Sequence, residues 1–133
     1  MPKGKQATNE AAAAFDAKLA AAMEEARSAG LSAVREFIQS GNHMVKDGII
    51  YDASGWASLD VLTPSYHVRE ALKRLNPKAH GFRGSWDVLS FGRDMPAGTN
   101  QSITAYEIAC KAALKVMANH FPGENFTVDS RMD

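Results

Sequence analysis

Apolar residues recur at helical spacing through the first third of the chain. Over residues 9–29 they form one narrow stripe: Phe15, Leu19, Ala22, Met23 and Ala26. Such spacing, in a segment dominated by alanine, predicts a helix along one face of the domain. Gly30 then offers a natural stop, and Ser32 can cap a second short helix that ends at Gly41. The pattern therefore predicts a helical hairpin.

The next segment contains a strong turn signal. Asp47-Gly48 separates two short runs within residues 43–52, and Asp-Gly is typical of two-residue β-hairpin turns. Residues 53–62 fit either a helix or a strand, because their apolar positions satisfy both spacings. The aromatic and β-branched content of residues 85–91 predicts a further strand. We expect the hairpin and this strand to form a small antiparallel sheet.

Two later helices have recognisable starts. Thr63-Pro64 places a cap and a first-turn proline before the apolar positions of a helix that ends at Asn76-Pro77. Thr104 and Glu107 form a capping box at the start of the final helix, and Phe121-Pro122-Gly123 ends it. The tail beyond this point is expected to add a short edge strand.

The order of these elements does not alternate regularly enough for a doubly wound sheet. We therefore expect an α+β fold in which a small antiparallel sheet, made of hairpin 43–52 and strand 85–91, is covered by about four helices. Residues 1–8 lack apolar periodicity and are expected to form a disordered leader. A single domain over residues 9–133 would follow it.

Composition narrows the class of protein. The chain of 133 residues has fifteen basic and fifteen acidic side chains, so no long-range field draws it to nucleic acid or to an acidic membrane. Its single cysteine, Cys110, cannot form an internal disulfide, which fits a reducing compartment. Neither a signal-peptide core nor a membrane-spanning apolar run is apparent. We expect a cytoplasmic protein.

Few side chains suggest catalysis or metal binding. Cys110 could act as a nucleophile beside a histidine, but it shares a helical stripe with Tyr106 and Leu114, where a free cysteine is usually a small buried hydrophobe. The histidines have no metal-ligand spacing: His43, His67, His80 and His120. The sequence therefore predicts no catalytic residue set, no metal site and no cofactor.

Acidic and glycine residues also lack a specific pattern. Four aspartates fall near predicted strand or turn ends: Asp52, Asp60, Asp87 and Asp94. Carboxylates there could bind a metal or act as acid and base, but hydrogen bonding to the backbone of nearby turns is the plainer explanation. The glycines are too irregularly spaced for a phosphate loop or a dinucleotide fingerprint.

The main charge anomaly lies in residues 69–93, which hold six basic and two acidic residues. The candidate ligand-binding residues in this basic segment are Arg69, Lys73, Arg74, Lys78, His80, Arg83, Trp86 and Arg93. Aromatic residues interleaved with cations are typical of sites where bases stack and cations hold phosphates. The helical members of the set, however, would lie on the solvent side of an amphipathic helix in any case, and this interpretation is favoured over a binding site.

Three functions remain open. The absence of motifs favours a non-enzymatic intracellular interaction domain that binds a protein partner or itself, with helix 9–29 as the surface for self-association. Adaptors, antitoxin-like inhibitors, and regulatory or inhibitory proteins of mobile elements are of this kind. The alternative is nucleic-acid or phosphate-ligand binding through residues 69–93. The third is a small enzyme with its site between loops 78–84 and 92–102, using His67 or His80 as a base.

Overall fold

Three α-helices and two antiparallel sheets make up the described part of the chain. The computed structural model describes residues 5–41, 45–46, 49–50, 55–76, 81–82, 84–96, 99 and 102–132. The helices are α1 (Lys5–Ser40), α2 (Tyr66–Leu75) and α3 (Ile103–His120), with a short 3-10 turn at Gly92–Asp94. The strands are β1 (Val45–Lys46), β2 (Ile49–Ile50), β3 (Gly55–Leu62), β4 (Gly81–Phe82), β5 (Ser85–Ser90) and β6 (Asn125–Met132). The predicted α+β class is confirmed.

The expected count of about four helices is wrong, because α1 runs without a break through Gly30. A Cβ at Gly30 would lie 2.5 Å from Cζ of Phe91 and 2.8 Å from the carbonyl oxygen of Ala109. Gly30 therefore allows α1 to approach its neighbours closely instead of ending the helix. Tertiary packing here outweighs the roughly 1 kcal/mol by which glycine disfavours a helix relative to alanine. The predicted helical hairpin is replaced by one helix of 36 residues that begins at Lys5.

The main sheet has the strand order β4-β5-β3-β6, and all its strand pairs are antiparallel. β3 pairs with β6 along its whole length, from Gly55 opposite Met132 to Leu62 opposite Asn125, without a bulge. Its pairing with β5 is interrupted between Leu59 and Asp60, where β5 contains one extra residue, Val88. Residues 55–62 are thus a strand, and the expected strand at 85–91 and edge strand in the tail are confirmed.

The predicted hairpin is present but belongs to a different sheet. β1 and β2 pair antiparallel, with Val45 opposite Ile50, and form a two-stranded sheet of their own. Asp47-Gly48 lies outside the described residues. The partner of β5 in the main sheet is therefore β3 and not the hairpin, because the apolar positions of β3 make it the buried central strand.

Successive side chains of β3 point to opposite faces of the main sheet. Ala57, Leu59 and Val61 are buried on the face where α3 packs against β3 and β6. α1 in turn packs against α3 and α2, which completes a helical layer on that side. The intervening positions of β3, Trp56, Ser58, Asp60 and Leu62, point to the opposite side. No described helix is long and apolar enough to cross a lipid bilayer.

The N-cap of each shorter helix lies two residues away from the predicted cap, Thr63 or Thr104. The N-cap of α2 is Ser65, and its Oγ accepts a hydrogen bond from the backbone N–H of Val68 at 3.5 Å. The N-cap of α3 is Ser102, whose Oγ accepts from the N–H of Ala105 at 3.1 Å. Ser102 is buried, so this hydrogen bond satisfies a backbone donor that water does not reach.

Candidate functional site

The sheet face opposite the helices is polar and concave. We call it the open face, formed by Trp56, Ser58, Asp60, Leu62, Ser85, Asp87, Thr127, Asp129 and Arg131. These side chains come from three adjacent strands and line a cavity of about 640 Å³. A concavity of this size lies within the range of ligand and side-chain binding pockets in proteins. The open face is therefore the first candidate for a functional site.

Strand register brings three aspartates onto this face. Asp60 on β3 lies directly opposite Asp87 on β5 and opposite Thr127 on β6. Ser58, two residues before Asp60, lies opposite Asp129. Directly opposite residues in an antiparallel pair have Cβ atoms about 5 Å apart, and like charges placed there repel each other. The face thus concentrates negative charge in a molecule whose overall charge is zero.

Asp60 stands at the centre of this arrangement and is 5% exposed. The hydroxyls of Ser58 and Ser85 donate hydrogen bonds to its two carboxylate oxygens, at 3.0 and 3.2 Å. Among the described residues no basic side chain forms an ion pair with it. Burial raises the pKa of Asp60, as do the charges of Asp87 and Asp129, whereas the hydroxyl hydrogen bonds act in the opposite direction. A buried carboxylate without a counter-charge is costly, and such groups are concentrated at functional sites.

An aromatic and a basic side chain border the aspartates at one end of the open face. Trp56 is 42% exposed, and the guanidinium carbon of Arg131 lies 5.5 Å from the centroid of its ring. Arg131 also approaches Asp129, with 3.4 Å between Nε and Oδ2. The face can therefore accept hydrogen bonds at its carboxylates and offer apolar contact at Trp56. Within the described ranges, no group of three or more histidine, cysteine or acidic residues is placed to hold a metal ion.

The described cations of the basic segment are occupied by other groups. Arg69 and Lys73 both approach the Glu70 carboxylate, at 3.5 and 3.0 Å. Arg74 forms two hydrogen bonds of 2.8 Å with the carboxylate of Asp16 on α1. These contacts match the interpretation of the segment as the solvated side of a helix. Lys78, His80, Arg83 and the side chain of Arg93 lie outside the described residues.

Trp86 does not lie on the open face. It points to the covered side of the sheet, is half-buried against the core, and has the ammonium of Lys73 5.7 Å from its ring centroid. Asp94 pairs with Arg27 at 2.6 Å, and His120 approaches Glu25 at the same distance. These groups link elements of the fold to one another.

His67 lies in a separate groove between α1 and α2. Its ring is 6.0 Å from that of Phe15 and 5.7 Å from that of Tyr66, and Glu70 and Arg74 also line the groove. The ring is exposed, so it is accessible to solvent as a base would need to be. The other predicted base, His80, lies outside the described residues, as do His43 and Asp52. The enzyme hypothesis therefore stays a prediction.

Cys110 and the stripe of α1 are both part of the core. Cys110 is fully buried, and burial raises the pKa of its thiol to about 12, so the reactive thiolate is strongly disfavoured. Leu19, Ala22 and Ala26 are buried within the same domain. Self-association through helix 9–29 would therefore have to use the exposed side of the helix, and it stays a prediction.

Sequence reasoning missed most of the open face. From sequence, Asp60 and Asp87 are noted only among four aspartates near strand or turn ends, with turn hydrogen bonding as the plainer role, and Ser58, Thr127 and Asp129 are not singled out. The signal for these residues is the alternation of polar and apolar residues in 58–60 and 127–129, which requires both segments to be assigned as strands. Comparison with protein-family models, with curated proteins and with solved structures finds no match to this chain.

Proposed function

We propose that this chain is a non-enzymatic interaction domain that binds a protein partner through the open face of its sheet. The observation that carries the proposal is Asp60, a buried carboxylate with no cation among the described residues, at the centre of a concave surface. Desolvating a charge lowers the stability of the free protein. A partner that supplies hydrogen-bond donors or a positive charge would offset that cost on binding.

The charge of the open face specifies the chemistry of the partner. Three aspartates stand against the single arginine of this face. Complementary charge guides association and rejects wrong partners, so the partner segment should be rich in lysine, arginine or polar donors. Trp56 adds an exposed aromatic ring, a residue type that often contributes strongly to binding energy at interfaces.

Phosphate-bearing ligands fit this face poorly, because its carboxylates would repel them. Nucleic-acid binding would have to use the basic segment, whose described cations already pair with Glu70 and Asp16. The described cations of the basic segment, Arg69, Lys73 and Arg74, lie on α2 and not on the open face, so one set of variants can separate the two functions.

The test is affinity capture from lysate of the source organism, with and without nuclease. Three baits are compared: the unmodified chain, Asp87→Lys on the open face, and Glu24→Lys as a matched control on the exposed side of α1. We expect one protein to be bound stoichiometrically by the first and third baits, with or without nuclease. Asp87→Lys should retain little of it, because the substitution places a positive charge against a basic partner.

The captured protein is then purified and its affinity for each bait is measured directly. Asp87→Lys should weaken binding at least about tenfold, which corresponds to roughly 1.4 kcal/mol, and Trp56→Ala should weaken it by a similar factor. Equal affinity for Asp87→Lys and the unmodified chain would contradict the proposal. Loss of every partner after nuclease treatment would favour the basic segment instead.

A further inference from the structure

β6 forms one edge of the main sheet and has a partner strand on its inner side only. It pairs with β3 over eight residues, and in the described part of the chain no strand pairs with its outer side. A long regular edge presents a row of unpaired backbone groups and can accept another strand. Proteins usually block such edges with proline, with charged side chains and lysine above all, with a bulge, or with a covering element.

Of these features, β6 has only two charged side chains, Asp129 and Arg131. Its sequence, Asn-Phe-Thr-Val-Asp-Ser-Arg-Met, contains neither proline nor lysine, and its register with β3 has no bulge. Ser130, Arg131 and Met132 are exposed, and Met132 is 70% exposed. No described residue therefore covers the second half of the strand.

Symmetry restricts how β6 could pair with a copy of itself. Two identical antiparallel strands in one continuous sheet are related by a two-fold axis perpendicular to the sheet. Each residue then lies opposite a residue of the same face, so only registers centred on a single residue are allowed. A register centred on Asp129 would place two negative charges opposite each other and is disfavoured.

The register centred on Ser130 is favoured by charge and by apolar contact. It places Asp129 opposite Arg131 of the second copy, and symmetry produces this pair twice. It also places Val128 opposite Met132, again twice, so that the exposed methionine gains an apolar neighbour. The two charges on β6 therefore do not protect the edge against self-pairing, because in this register they attract.

We propose that this chain forms a two-fold homodimer in which the β6 strands of two copies pair antiparallel about Ser130. The main sheets then join into one continuous sheet with both open faces on the same side. The contact is short, so the dimer is reversible and its population depends on protein concentration. The proposal concerns the sheet edge and does not rest on the function proposed for the open face.

Charge reversal gives the test. The weight-average mass of the purified chain is measured by analytical ultracentrifugation over a range of concentrations, and should rise towards twice the 14.4 kDa of one chain. Asp129→Arg makes both charged positions basic, and Arg131→Asp makes both acidic. Each variant alone should dimerise at least about tenfold more weakly than the unmodified chain. An equimolar mixture of the two should form a heterodimer, because every facing pair is then attractive.

Matched control variants distinguish an effect of the strand register on dimerisation from an effect of net charge. Glu24→Arg and Lys111→Asp reverse equivalent charges at exposed sites on α1 and α3, and should leave the dimer unchanged. Circular dichroism and thermal unfolding check that each variant folds. An unmodified chain that stays monomeric at every accessible concentration would overturn the proposal. Equal dimerisation of the single variants, or a mixture that fails to form the heterodimer, would overturn it as well.

Discussion

The hydroxyl of Ser58 donates a hydrogen bond of 3.0 Å to the carboxylate of Asp60, two residues further along the same strand. Ser85 on the neighbouring strand donates to the other carboxylate oxygen. The two hydroxyls satisfy part of the hydrogen-bonding capacity of a buried anion but do not neutralise it. The stability of the protein should therefore depend on the charge of Asp60.

Asp60→Asn should stabilise the fold at neutral pH. The pKa of Asp60 is raised in the native state by burial, so the native state binds this proton more readily than the unfolded state. Ionised Asp60 consequently lowers the free energy of unfolding. This unfavourable effect diminishes as the pH falls through the raised pKa towards the ordinary value of 3.8. We expect the substitution to raise the free energy of unfolding by about 1 kcal/mol at neutral pH.

The measurement is chemical denaturation at pH 7 and at about pH 4, where an ordinary aspartate is half-protonated. The advantage of Asp60→Asn should shrink at the lower pH. Glu24→Gln, on the exposed side of α1, serves as the control and should change little at either pH. A destabilised Asp60→Asn protein at pH 7 would mean that the carboxylate is a net stabilising group.

Gly30→Ala should destabilise the protein although alanine favours helices. The added Cβ would lie within 2.8 Å of both Phe91 and a backbone carbonyl of α3, so either the ring or the helix spacing must change. Overpacking of this kind costs about 1–3 kcal/mol, and we expect a net loss of about 2 kcal/mol in the free energy of unfolding. Gly123→Ala is the matched control, because nothing lies within 4 Å of a Cβ at Gly123. Equal stabilities would contradict the close packing of α1 on Phe91.

The thiol of Cys110 should be almost inert in the native protein. It is fully buried with a pKa of about 12, so at pH 8 very little of it is the nucleophilic thiolate. We expect a thiol reagent to label it at least about a hundredfold more slowly in the native protein than in denaturant, with the rate set by transient opening of the fold. Fast native labelling would show that α3 opens locally or that the thiol is accessible.

The ion pair of Asp16 with Arg74 should couple α1 to α2 in a pH-dependent manner. The hydrogen bonds from Arg74 lower the pKa of Asp16 in the native state. The Asp16 carboxylate therefore stabilises the native state fully above the ordinary pKa of 3.8. This stabilisation is lost as the pH falls through the lowered pKa. A double-mutant cycle with Asp16→Asn and Arg74→Gln should give a small favourable coupling at pH 7. The coupling should decline below about pH 4, and one that is independent of pH would contradict this assignment.

Local sequence signals predict the fold class more accurately than they predict the number of helices or the pairing of strands. The sequence predicts α2, α3 and β5 because apolar spacing, prolines at helix boundaries, and aromatic or β-branched residues act within a few positions. Gly30 was interpreted as a helix stop because its contact with Phe91, 61 positions away in sequence, cannot be recognised from local pattern. Long-range packing therefore decided the helix count.

The candidate site was harder to predict for a similar reason. Asp60, Asp87 and Asp129 come from three separate segments, and only the strand order β5-β3-β6 places them on one face. Residues 53–62 fitted two periodicities, so the strand on which the site depends had no unique assignment. The basic segment was conspicuous in sequence because its charges are adjacent along the chain, but its described members pair with nearby carboxylates.

The extra residue in β5 changes which side chains reach each side of the sheet. Val88 and Leu89 follow each other in sequence, yet both are buried, because the bulge lets Leu89 lie opposite Leu59. Uninterrupted pairing from Asp87 onwards would put Val88 opposite Leu59, leaving Leu89 on the aspartate side where Ser90 now stands. The polarity of this surface is thus maintained by backbone geometry, in a segment whose own sequence does not alternate.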